Sequence, residues 1–67
     1  MRNCLKELRR ERDWTQKDLA NTLGVSRQTI IAIERGKYAP SLPLAFRISR
    51  VFERPLDTIF FEDADNL

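Results

Sequence analysis

Ser26-Arg27-Gln28-Thr29 sets a small hydroxyl, two forked hydrogen-bonding side chains and a second hydroxyl in succession where a helical pattern begins. Arginine can fork onto N7 and O6 of guanine, and glutamine onto N6 and N7 of adenine. Such side chains in the first turn suit a helix whose N-terminus enters a DNA major groove. Arg27 and Gln28 are therefore candidate base readers, with phosphate contact as the plainer alternative. Ile31 and Ala32 lie four residues further along on the same faces. Ala32 either packs on a thymine methyl or is simply small enough to allow close approach. Ile31 touches thymine methyls or sugars, meets a neighbouring chain, or is an ordinary exposed apolar residue.

Around this turn sit residues suited to phosphate. Ser26 can cap the helix and donate to a phosphate oxygen. Thr29 either packs beneath the helix or touches the DNA backbone. Arg35, Lys37 and Tyr38 cluster just after the helix, where cations and a phenol hydroxyl suit phosphate contact or plain solvated surface.

Five helical stretches must position these groups. The first covers residues 3–12, with Leu5 and Leu8 as its apolar stripe; Asp13 can take the left-handed conformation that ends it. Trp14 is expected in the core, plugging the gap between the first two helices. The second covers 16–23, opened by the capping-box-like pair Thr15 and Asp18 and ended by Gly24. The third covers 27–35, capped by Ser26, with Ile30 and Ile33 inward and Gly36 at its close. Val25 in the intervening turn should be buried.

The fourth covers 42–52, capped by Ser41, with Pro43 in its first turn. Leu42, Ala45, Ile48, Ser49 and Phe52 are its expected core face. Leu44, Phe46 and Val51 add apolar surface elsewhere, and a helix apolar over so much of its circumference usually buries two faces. A short fifth helix is expected from Pro55, with Leu56 and Ile59 inward. Phe60 and Phe61 can form an extended segment that pairs with the chain's first residues.

The helix–turn–helix spacing over residues 16–35 is complete, with Gly24 at the sharp turn. With Arg9, Gln16, Leu19, Ala20, Leu23-Gly24-Val25-Ser26, Gln28-Thr29-Ile30, Glu34, Gly36-Lys37 and Pro40-Ser41, the chain resembles the Cro/CI-type (XRE) helix-turn-helix family of small transcriptional regulators. The resemblance covers about residues 5–60 and is closest to short stand-alone regulators. It implies an all-α, five-helix, lambda-repressor-like DNA-binding domain. It also implies that Gln16 clamps a phosphate at the start of the second helix. The family pattern pairs Glu34 with Arg9, which makes both structural rather than DNA-reading. The expected partners are double-stranded DNA and a second copy of the chain, the homodimer acting as a sequence-specific transcriptional repressor on a near-palindromic operator. Leu44, Val51, Pro55, Phe60 and Phe61 are the expected dimer surface, with residues 55–67 as its C-terminal part.

Composition sets the outer bounds. Sixty-seven residues allow one domain with a small core, and 42% hydrophobic with 33% charged residues fit a globular helical chain. Net charge is +2, but residues 1–54 hold all twelve Lys and Arg against six acids, whereas 55–67 hold four acids and no base. A basic body suits a polyanion, and the acidic end should point away from it. One cysteine, Cys4, allows no internal disulfide, and the absence of His leaves little for zinc or His-based catalysis. No paired-carboxylate spacing or Gly-rich phosphate cradle suggests an enzyme, and no cofactor or small-molecule ligand is indicated. No membrane span or signal peptide is read, so the expected location is the cytoplasm. The second functional reading is a protein-interaction module, such as an antitoxin or phage adaptor, on the same scaffold.

Overall fold

The computed structural model describes residues 1–62. Its order is β1 (Arg2–Asn3), α1 (Leu5–Glu11), α2 (Gln16–Leu23), α3 (Arg27–Glu34), α4 (Leu42–Phe52), a 3-10 turn (Leu56–Thr58) and β2 (Phe60–Phe61). The fold is all-α apart from one small ribbon. β1 and β2 pair antiparallel with Arg2 opposite Phe61 and Asn3 opposite Phe60, and Cys4 N–H donates to the Ile59 carbonyl at 3.0 Å.

Local chemistry accounts for the helix boundaries. Thr15 Oγ1 accepts from Asp18 N–H (3.0 Å) while Asp18 Oδ2 accepts from Thr15 N–H (2.8 Å), a reciprocal box that satisfies two of the donors left open at a helix start. Those bonds, the Thr15 backbone N–H first, hold the Asp18 carboxyl below the usual aspartate range. Gly24 ends α2 at φ +73°, a left-handed conformation, and Val25 N–H reaches back to the Ala20 carbonyl at 3.0 Å. Arg47 of α4 completes this end by donating to the Leu23 carbonyl at 3.0 Å. Ser26 and Ser41 cap α3 and α4 by accepting from Thr29 N–H and Leu44 N–H.

The core is formed where all four helices and the ribbon meet. Leu5, Leu19, Leu23, Ile30, Ile33, Ile48 and Ile59 are fully enclosed, each contributing ~1.5–3 kcal/mol by leaving water. Val25, partly buried, packs against them and holds the angle between α2 and α3.

Four expectations need correction. The fifth helix is a three-residue 3-10 turn, because Pro55 starts it and the chain must straighten by Phe60 to pair with β1. Leu42 is 63% exposed, since the Ser41 cap and Pro43 place it on the outer side of the first turn; Ser49 is half-buried and donates to the Arg54 carbonyl. Leu44 and Phe60, expected on a dimer surface, pack in the chain's own core. Trp14, expected in the core, packs against it but is only partly buried. It tilts against Phe52 of α4 at 5.8 Å, and the Arg12 guanidinium lies over both rings at 5.2 and 4.9 Å.

Two non-glycine residues, Asp13 and Glu53, have positive φ of 58° and 53°. Glu53 ends α4 in this conformation with an exposed side chain. Glu53→Gly removes its steric cost and should stabilise the fold by about 0.5–1 kcal/mol, raising Tm by ~2–8 °C in a thermal melt.

Candidate nucleic-acid interface

α3 is exposed at its start and anchored at its end. Ser26, Arg27 and Gln28 are exposed, while Thr29, Ile31 and Ala32 are half-buried. The Thr29 and Ser26 hydroxyls lie 3.0 Å apart, so the cap itself engages both. At the other end Glu34 meets Arg9 of α1 in a two-pronged pair: Arg9 Nε donates to Glu34 Oε2 (2.7 Å) and Nη2 to Oε1 (3.1 Å). The two side chains are only 9% and 4% exposed. The third guanidinium nitrogen, Nη1, donates to the Trp14 carbonyl at 2.9 Å. The bond to Glu34 raises the Arg9 pKa further, against the opposing effect of desolvation.

Gln16 joins this network. Its Nε2 donates to Glu34 Oε1 at 3.2 Å, so the amide is held by α3 although it grows from the first residue of α2. The second amide proton and Oε1 remain for an external group. Gln16 thus stands at a helix start, where open N–H donors and the dipole favour an anion.

Asn3 anchors the same helix end from the ribbon. Its Nδ2 donates to the Ile33 carbonyl at 2.8 Å and its Oδ1 accepts from Leu5 N–H at 3.1 Å. Among the described residues no buried side-chain nitrogen or oxygen lacks a partner.

The candidate contact residues fall into groups. Arg27, Ile31 and Arg35 share one edge of α3 and line a groove with Gln16 and Lys6. Gln28 and Ala32 form the adjacent edge by helical spacing. Lys37 and the half-exposed Tyr38 follow in the loop to α4, outside that groove. Of the expected dimer residues that are not in the core, Pro55 and Phe61 are exposed and Val51 is half-buried. Larger apolar exposure lies elsewhere on α4, at Leu42 and Phe46. Sequence reasoning passed over Lys6, Arg10 and Lys17, which line an adjoining groove with Gln16 and Arg27. The four-residue spacing of Lys6 and Arg10 on α1 is the signal that could have found them.

Among the described residues no group of three His, Cys, Asp or Glu is placed to hold a metal ion, and no helix is long and apolar enough to cross a membrane.

A helix-turn-helix family profile matches residues 5–59. An uncharacterised HTH-type transcriptional regulator of Methanocaldococcus jannaschii is 55% identical over 65 residues, covering 97% of this chain and 98% of that relative. An uncharacterised HTH-type transcriptional regulator of Bacillus subtilis, YgzD, is 42% identical over 66 residues, covering 98% and 100%. A solved SinR protein/SinI protein complex contains a similar fold, with a TM-score of 0.74 and 26% identity. The match covers 94% of this chain and 62% of that one.

Breaking the Arg9–Glu34 pair from one side leaves a buried charge without its partner, at ~3–5 kcal/mol. A domain of this size has about 3–10 kcal/mol in total. Arg9→Leu and Glu34→Leu should each therefore lose most of their stability in urea titrations. The double variant should be more stable than either single one; simple addition of the two losses would contradict the pairing.

Proposed function

The chain belongs to the Cro/CI-type (XRE) helix-turn-helix family of transcriptional regulators, and from that premise we propose that it binds duplex DNA sequence-specifically as a homodimeric repressor on a near-palindromic operator. The observation that carries the reading is the division of α3. Its first turn presents Arg27 and Gln28 to solvent, while its last residue is locked to Arg9. A helix held this way can enter a major groove without changing its own fold. Arg27 and Gln28 read base edges, with Ile31 and Ala32 beside them for thymine methyls or sugars. Gln16, Ser26, Thr29, Arg35, Lys37 and Tyr38 position the duplex through its phosphates. The domain acts in the cytoplasm.

Two copies place their recognition helices about 34 Å apart, in successive major grooves. The apolar surface available for pairing is Pro55, Phe61 and Val51, with the exposed Leu42 and Phe46 of α4. That same surface also supports the second reading, docking of a partner protein. The structural neighbour with a SinR/SinI complex is in keeping with it.

The two readings separate in DNA titrations. Arg27→Ala should cost about 1–3 kcal/mol on the selected site and relax preference at one base pair. Lys37→Ala should weaken binding to selected and random duplexes alike and flatten the salt dependence. Equal losses on both duplexes for Arg27→Ala would assign it to phosphate. Absence of salt-dependent binding would favour the protein-docking reading.

A further inference from the structure

We propose that α1 adds a second wall to the phosphate path: Lys6 and Arg10 contact the DNA backbone beside Gln16 and read no base. This rests on the duplex-binding reading above. Lys6 and Arg10 are four residues apart, so they share one edge of α1, and both are exposed. Arg9, between them, turns inward to Glu34.

Across the groove stand Lys17 of α2 and Arg27 of α3, so three helices bring four exposed cations, beside the Glu34-paired Arg9, to one open cleft of about 410 Å³. No Asp or Glu lines it, and none of the four cations is in an ion pair among the described residues. The chain's net charge is only +2, so this concentration reflects placement rather than a general excess of base. Like charges gathered without counter-charge repel one another in the free protein, and a polyanion relieves that repulsion.

The shape of the site selects among anions. Lys6, Gln16 and Arg27 line this cleft and also the next one, which continues along α3 past Ile31 and Glu34, the latter already paired with Arg9, to Arg35. The cations therefore form a track from α1 to the end of the recognition helix rather than a closed cup. A track fits successive phosphates of one DNA strand; a single small anion would engage only part of it. The contacts go to phosphates and are made by exposed side chains, so they add affinity and salt dependence without sequence preference.

The test is a salt titration of the full chain with fluorescent duplexes, one selected and one random, comparing wild type with K6A/R10A. Both residues are exposed, and an unchanged melting curve verifies that the variant is folded. Removing two phosphate contacts should make the log–log salt slope shallower by about 1.8 on both duplexes. Between 50 and 200 mM salt, wild type should lose about twelvefold more affinity than the variant. Arg50→Ala, on α4 outside the groove, should leave the slope unchanged. A K6A/R10A slope equal to wild type, while Lys37→Ala lowers it, would overturn the α1 contact and leave the DNA reading standing. No salt-dependent duplex binding by wild type would overturn both.

Discussion

The buried pair between Arg9 and Glu34 is the constraint on which the rest of the structure depends. It joins the first helix to the third, reaches the α1–α2 loop through the Trp14 carbonyl, and holds the first side chain of α2 through Gln16. Taking two charges out of water is costly, and attraction offsets that cost only where geometry is good and the remaining hydrogen-bonding atoms are satisfied. Both conditions are met here. In return α1, α2 and α3 have one shared point of reference. A purely apolar contact of similar size would hold them together without setting the orientation of each as closely.

Anchoring the end of α3 leaves its beginning free. Asn3 adds a second anchor at the Ile33 carbonyl, and the β1–β2 ribbon holds Asn3 in place. The residues after α4 thus help to position the end of α3 through the ribbon. The capping box at Thr15 and the left-handed turn at Gly24 fix α2 at both ends, and Val25 fixes the angle to α3. Gln16 and Arg27 consequently face a common groove.

Features governed by near neighbours were legible in the sequence. The Thr15, Ser26 and Ser41 caps, the Gly24 turn and the bounds of α2 follow from local hydrogen bonding, and the structure has them. The terminal pairing of Phe60-Phe61 with the first residues was legible as two short stretches without helical commitment. What was not legible depends on packing between distant segments. Helical periodicity alone put Leu42 inside and Leu44 on an outer face; the actual rotation of α4 reverses them. The left-handed Glu53 carries no glycine to announce it. The Arg12–Trp14–Phe52 stack needs the α1–α2 loop to meet the end of α4, which no local pattern states. The shared groove of the α1 cations with Lys17 and Arg27 likewise arises only when three helices come together.

In the proposed function the exposed first turn of α3 reads duplex sequence while the anchored remainder positions it. Selection of bound sites from a random duplex pool tests this most directly. The account predicts a two-fold symmetric consensus whose half-sites are one helical turn apart, about 34 Å. Recovery of a pool with no consensus, despite binding at low salt, would contradict it.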